Sequence, residues 1–409
     1  MPAWRADAAD PARRGPAGNG LRINPEEGGD LAGREQSLAA ALHVASLLTS
    51  VTETCPKCAD KQGFSPYIPE NMPEKSDLLV SAEAIQAAAQ RLAGVAVRTP
   101  LVPYPHTRGR HLVKPESLQP TGSFKLRGAY ATISALPASQ RDRGVIAHSS
   151  GNHAQAVAYA AAAVGCPAVV VVPETAAEIK VESARALGAR IVTVAPSLQA
   201  RIQTTEELAG RYGYAVIPPF DDLRVIAGQG TIGLEIAADC PGPAVVLVPV
   251  GGGGLISGVA AAVRSARPGA VVVGIEPELA ADARDSLRAG KRVAWSAART
   301  ARTVADALRV EQVGELPFEH IRAFVDDIVT VTEEEIKAAV RRIADDLRLI
   351  AEPGGAVAVA AYLYRRGDLP KGETYVSVLS GGNIAPGMRA ELLGSRGAAP
   401  DPVARPERD

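Results

Sequence analysis

The sequence predicts an α/β fold: open, twisted, mostly parallel sheets flanked by helices. Three observations carry it. Short Val/Ile-rich runs alternate with longer helical stretches over residues 81–379. The runs are apolar throughout, as in Val245-Val246-Leu247-Val248-Pro249-Val250, the pattern of strands buried on both faces. Several runs end in Gly, Ser or Asn and open straight into a helix pattern, the step that joins parallel strands.

Taken in order, the spacing predicts a helix at 81–92 and a strand at 144–148 that runs into a helix at 152–164. Strand 168–172 follows, set off by Gly165-Cys166-Pro167, which breaks the longest apolar stretch and removes it as a membrane span. A helix at 176–187, a strand at 190–194 and a helix at 198–212 continue the alternation. Helix 229–238 leads to strand 244–250, and helix 256–267 to strand 271–275. Val331-Thr332-Glu333-Glu334-Glu335 starts a helix predicted to reach 347, and residues 375–379 form a last strand. Residues 1–34 are rich in Pro, Gly, Ala and both charges, a composition that predicts disorder. Residues 38–51 read as one short apolar helix, and residues after 395 as a tail.

Composition bounds the function. The chain has 409 residues, 46% hydrophobic and 22% charged, enough for two cores. A formal net charge of -1 without a basic block argues against nucleic acid and acidic membrane surfaces as partners. The N-terminus lacks an apolar signal core, so a cytoplasmic protein is expected. The cysteines, Cys55, Cys58, Cys166 and Cys240, do not form a disulfide framework. Cys55-Pro56-Lys57-Cys58 is half of a zinc pattern with no second pair, and an accidental loop is the simpler reading.

The chemistry centres on Lys125, in Thr121-Gly122-Ser123-Phe124-Lys125-Leu126-Arg127-Gly128-Ala129. An amine at a helix N-terminus under apolar cover has its charged form disfavoured. Such a lysine is nucleophilic near neutral pH and suited to a Schiff base with an aldehyde. Gly251-Gly252-Gly253-Gly254 follows a buried strand and opens a helix, so several backbone N–H groups converge on one anion, most naturally a phosphate. Two other readings are a dinucleotide fold with Glu276 on the ribose, and a glycine turn without ligand. The dinucleotide fingerprint fails, because its third glycine position is Ile256 or Ser257. Ser149-Ser150-Gly151-Asn152-His153 joins strand to helix at the carboxyl end of a strand, where open α/β sheets bind ligands. Asn152 there is either a helix N-cap or an amide donor to a ring oxygen. Ser380-Gly381-Gly382-Asn383 ends the last strand; Ser380 is either part of a plain turn or a hydroxyl partner for a ring nitrogen. Together a Schiff-base lysine, an Asn, a phosphate cup and a serine match the four recognition points of pyridoxal phosphate.

On these motifs the chain resembles the threonine/serine ammonia-lyase and serine racemase family, pyridoxal-phosphate enzymes of the tryptophan-synthase-β fold type (fold type II). The resemblance spans residues 80–392 and also includes Phe220-Asp221-Asp222, Val225–Thr231 and Val325–Thr332. It implies a larger domain of residues 76–147 and 220–395, a smaller one of residues 148–219, and the cofactor in the cleft between them. Residues 1–75 are then an N-terminal extension and 396–409 a tail. It implies that Lys125 holds the cofactor and moves the Cα proton, and that Phe124 covers a ring face. Asn152 would meet the phenolic oxygen, Gly251, Gly252, Gly253 and Gly254 the phosphate, and Ser380 the pyridine nitrogen. Ser150 would be the acid/base on the opposite face. Ser149, Ser150, Gly151 and His153 would hold the substrate carboxylate, and Arg201 aligns with a racemase arginine near it. Glu276, Ala280 and Asp282 match that racemase's divalent-cation site, suited to Mg or Ca; the alternative is a helix-start acid pair. A homodimer is implied as well. Two departures bear on the substrate end of the pocket: Ala154, where the family often has Gly, and Ala305-Asp306-Ala307-Leu308-Arg309-Val310, where the racemase has a contacting serine.

The expected activity is deamination by β-elimination of a β-hydroxy amino acid such as L-threonine, L-serine or a hydroxylated aspartate, giving a 2-oxo acid and ammonia. The alternatives are an amino-acid racemase using Lys125 and Ser150, a β-replacement enzyme of specialised metabolism, and a catalytically silent binding subunit.

Overall fold

The computed structural model describes residues 78–394, apart from residues 106, 108, 150, 177 and 243 and the side chains of residues 179 and 180. Ser150, the Cys55/Cys58 pair and the helix expected at 38–51 lie outside the described residues.

The chain begins with α1 (Ala82–Leu92), capped by the Ser81 hydroxyl on Ala84 N–H, and then β1 (Val102–Pro103) and β2 (Arg110–Pro115). Next come α2 (Lys125–Ser134), α3 (Ala138–Arg143), β3 (Val145–His148), α4 (Asn152–Ala163) and β4 (Ala168–Pro173). The order continues with α5 (Glu178–Ala186), β5 (Arg190–Val194), α6 (Leu198–Tyr212), β6 (Ala215–Val216), α7 (Leu223–Asp239) and β7 (Val245–Pro249). Then follow α8 (Gly254–Ala266), β8 (Val271–Pro277), α9 (Asp282–Ala289), α10 (Ala297–Thr300), α11 (Glu315–Phe324) and β9 (Asp327–Val331). The last elements are α12 (Glu333–Arg342), α13 (Pro353–Tyr364), β10 (Thr374–Leu379) and α14 (Pro386–Gly394).

Two sheets result. One has the order β1-β2-β10-β7-β8-β9, the other β5-β4-β3-β6. Among the described strands every pairing is parallel except β1 with β2. In the larger sheet Val113, Leu247, Ile275 and Tyr375 pack with the wholly apolar α13, while Val246, Val272 and Val376 pack with α8 on the opposite side. The strands are therefore apolar on alternate residues of both faces, as helices on each side require. β3 and β4 of the smaller sheet bury Val145, Ala147, Val170 and Val172 against α2 and α4. No described helix is long and apolar enough to cross a membrane.

Two expected boundaries change. The helix expected at 229–238 begins at Leu223, where the Asp222 carboxylate caps the N–H groups of Arg224 and Val225. Gly228 therefore sits inside the helix rather than before it, at a point where a Cβ would lie 2.6 Å from the Arg127 carbonyl oxygen. The helix expected to reach 347 stops as α-helix at Arg342 and continues as a π-helical turn over Ile343–Leu347, closed by Arg348 at φ 59°. Thr332 and Glu335 form a reciprocal capping box at its start, as the acid-rich motif suggested.

Candidate active site

The carboxyl ends of β3, β7 and β10 and the N-termini of α2, α4 and α8 line one cavity of about 240 Å³. This is the edge of parallel sheets where ligands bind. Phe124, Lys125, Ser149, Gly151, Asn152, His153, Arg201, Gly251, Gly252, Gly253, Gly254 and Ser380 all line it.

Lys125 is the first residue of α2, as its motif predicted. Its half-buried Nζ donates to the Pro219 carbonyl at 2.6 Å and lies 5.0 Å from the centre of the Phe124 ring. Burial pulls the amine down to about 8, against an opposing pull from the Glu352 carboxylate. A useful fraction is thus neutral and nucleophilic near physiological pH.

The glycines open α8. Gly253 is left-handed, at φ 91°. A Cβ at Gly252 would fall into the Phe220 ring, and one at Gly254 would lie 2.9 Å from the Phe220 backbone. Glycine is therefore required here by space as well as by conformation. A hydrogen bond at the helix start runs from Ser257 N–H to the Gly253 carbonyl, so the amides before it lie ahead of the helix ladder. They supply donors at the positive end of α8, a cradle suited to an anion.

Asn152 is the first residue of α4, and its side chain does not cap that helix. Its amide nitrogen donates to Glu352 Oε1 at 2.6 Å, and its carbonyl oxygen accepts from Asn383 Nδ2 at 2.8 Å. Asn383 also donates to the Thr121 carbonyl at 2.8 Å. These partners fix which way the amide faces, and one N–H remains for a ligand. Ser380 is buried at the end of β10, and its backbone carbonyl accepts from Phe124 N–H at 3.0 Å. Strand end and lysine loop are thereby tied together.

His153 is buried, and its Nε2 donates to the Ile217 carbonyl at 2.8 Å. Burial, with Lys125 nearby, pushes it down to about 3, so it stays neutral. Arg201 on α6 is half-buried, and burial lowers its guanidinium from the ordinary value. Of the two departures, Ala307 and Leu308 do line the cavity. Ala154 instead packs into the core beside the smaller sheet, so its substitution does not bear on the pocket in the way expected.

Glu276 near the end of β8, Ala280 in the connection after it and Asp282 at the start of α9 are all buried. Glu276 accepts from the N–H groups of Ala283 at 3.1 Å and Arg284 at 2.8 Å, and Asp282 accepts from Val313 N–H at 2.7 Å. Burial and the Asp282 charge raise Glu276 well above the carboxylate range, and burial raises Asp282 to about 7. Both carboxyl groups are thus bonded to backbone N–H groups, and no group of three or more His, Cys, Asp or Glu poised for a metal occurs among the described residues.

Sequence reasoning missed three participants. Glu352 precedes Pro353 and α13, and reads locally as an ordinary cap; its side chain instead turns to Asn152. Pro219 acts through a carbonyl, which sequence cannot mark. Phe220 was legible as part of a motif, but not as the wall that demands the glycines.

Known proteins share this fold. Residues 92–381 match the family model described as pyridoxal-phosphate dependent enzyme. The chain belongs to that family. It is 41% identical over 321 residues to the L-threonine ammonia-lyase of Thermotoga maritima, covering 77% of this chain and 78% of that protein. It is 38% identical over 287 residues to the L-threo-3-hydroxyaspartate ammonia-lyase of Saccharomyces cerevisiae, covering 70% and 87%. The solved T.th. threonine deaminase superposes with a TM-score of 0.71 at 43% identity, covering 75% of this chain and 99% of that one. Maize serine racemase does so with a TM-score of 0.72 at 33% identity, covering 77% and 97%. Within this pyridoxal-phosphate family the lysine, cradle, amide and serine are a donor set that fits the cofactor: an amine for its aldehyde, amides for its phosphate, and polar groups for its ring.

Proposed function

We propose that the chain deaminates a small β-hydroxy amino acid, with L-threonine and L-serine as first candidates: the β-hydroxyl leaves as water, the resulting enamine tautomerises to an imine, and water hydrolyses the imine to a 2-oxo acid and ammonia. The observation that carries this reading is the placement of a half-buried, weakly basic Lys125 in one cavity with the glycine cradle, Asn152 and Ser380.

Bound pyridoxal phosphate supplies an aldehyde to anchor the amino acid and a ring system to spread negative charge from Cα. The residues supply the rest. The glycine amides of residues 251–254 hold the phosphate, Asn152 offers its spare N–H to the ring oxygen, and Ser380 faces the ring nitrogen. A neutral serine there leaves that nitrogen without the charge a carboxylate would impose. Lys125, released by the incoming amino acid, takes the Cα proton. The start of α4, through Ser149 and Gly151, holds the substrate carboxylate against backbone N–H groups, and His153 anchors that turn through Ile217. Arg201 adds positive charge to the cavity lining, which also suits a substrate with a second carboxylate. Glu276, the Ala280 carbonyl and Asp282 are proposed to take Mg or Ca, which would relieve the repulsion between two buried carboxyls.

The likeness to serine racemases favours a second reading. There Ser150 returns a proton to the opposite face and the product is the mirror-image amino acid. Borohydride reduction followed by peptide mapping tests the first step: the tag must sit on Lys125. A panel of L- and D-hydroxy amino acids, followed for 2-oxo acid and for chirality, then separates the outcomes. Ser150→Ala should abolish racemisation while sparing oxo-acid formation from the L-substrate; if both fall together, Ser150 is not a selective opposite-face acid.

A further inference from the structure

Arg127 lies two residues beyond Lys125, on the same first turn of α2, and is not among the residues that line the cavity. It is only 1% exposed, and its guanidinium is fully engaged. Nε and one terminal nitrogen grip Glu116 at 2.7 and 2.8 Å. The terminal nitrogens reach Glu235 at 2.7 and 3.0 Å, Thr231 at 3.1 Å and the Val97 carbonyl at 3.1 Å. Glu116 is itself wholly buried and also accepts from Thr99 and Gln119. Buried Lys114 completes the network by donating to Glu235 and to the Thr99 carbonyl.

Two features make this a locating device. Glu116 and Arg127 flank the segment that carries Ser123, Phe124 and Lys125, so their paired bonds close that segment at its base. Thr231 and Glu235 lie on α7, which packs directly on α8, the helix that begins at the glycine cradle. The approach is close enough that a Cβ at Gly258 of α8 would collide with the Ile226 carbonyl oxygen of α7. The span from amine to cradle therefore runs through rigid parts: Lys125, Arg127, α7, α8, Gly254. A buried ion network is a poor source of net stability, because apolar side chains of the same shape pack equally well. A planar guanidinium bonded in fixed directions does define position.

We propose that Arg127 is a positioning residue that sets the reach of Lys125 relative to the glycine cradle, and so lets one ligand satisfy both at once. The inference rests on the pyridoxal-phosphate reading of the site. It predicts that loosening Arg127 leaves phosphate-and-ring binding intact and selectively impairs condensation of the aldehyde with Lys125.

The test uses the full chain freed of cofactor, with two probes. One is pyridoxal phosphate. The other is 4′-deoxypyridoxine phosphate, which keeps ring and phosphate but has a methyl in place of the aldehyde. For Arg127→Lys, the deoxy probe should bind as it does to the parent chain. The rate of condensation, read from the visible band and from borohydride tagging of Lys125, should fall about 10- to 100-fold, the loss expected when reacting groups are held about 1 Å out of place. Equal weakening of both probes, or an unchanged condensation rate, overturns the proposal. If Arg127→Lys does not fold, Thr231→Val, which removes one of its hydrogen bonds, is judged by the same two criteria with a smaller selective loss expected. A parent chain in which Lys125 takes no tag refutes the functional reading instead, so the two failures are distinguishable.

Discussion

Lys125 and Glu352 form the most informative pair in the molecule. Burial lowers the amine, and the Glu352 carboxylate raises it part of the way back, to about 8. Glu352→Gln removes that opposing charge, so the amine should lose its proton at lower pH. The midpoint of the pH profile for condensation with pyridoxal phosphate should accordingly move to the acid side of the parent's; a midpoint that stays put or moves up would show that Glu352 does not act on Lys125. Lys125→Ala removes both the anchor and the base, and oxo-acid formation should fall at least about 1,000-fold. Glu352 also holds the Asn152 amide at 2.6 Å, so its substitution should weaken ring binding as well. None of this was legible in the sequence, where an acid before Pro-Gly-Gly is a helix start like any other. Lys125 was legible, because a cation among small and apolar residues at a helix start is a local anomaly.

At the scale of elements, α8 and its glycines depend on a wall supplied from outside the motif. Gly252→Ala drives a methyl into the Phe220 ring. The cradle must open or Phe220 must move, and the affinity for pyridoxal phosphate should drop about tenfold or more, equivalent to about 1.4 kcal/mol. Isothermal titration of the variant checks this, and Phe220→Leu in the same chain should recover part of the loss. Strand ends followed by glycine were readable one by one, since local spacing encodes them. The extent of α7 was not. Gly228 looks like a helix breaker in a linear reading, yet it lies inside α7, where the α2 backbone comes too close for any side chain. Tertiary packing overrode propensity at the place where the lysine and cradle helices are linked.

Over the whole molecule, the cavity draws on segments from Phe124 to Ser380, and their convergence is set by strand order rather than by any local signal. The alternating pattern encodes the strand–helix rhythm; it could not give β10 its place between β2 and β7. The same burial that assembles the site leaves histidines inside both cores. His111 is sandwiched between Tyr104 and Tyr362 beside the larger sheet, with Nε2 at 2.8 Å from the Ser377 hydroxyl. Burial, with Arg366 nearby, pushes it down to about 3, and burial with Lys125 does the same for His153. Unfolded, each would titrate near 6.5. The unfolded chain therefore binds protons that the folded chain refuses. Stability is complete above about pH 6.5 and declines as pH falls toward 3, by up to about 1.4 kcal/mol per pH unit for each histidine. Denaturant unfolding of the holoenzyme between pH 7 and pH 4 should show this slope. His111→Phe keeps an aromatic ring in the stack and removes the titration, so its acid limb should be shallower than the parent's even if its stability at pH 7 is lower. A parallel acid limb in that variant would mean that carboxylates, not buried imidazoles, govern acid unfolding.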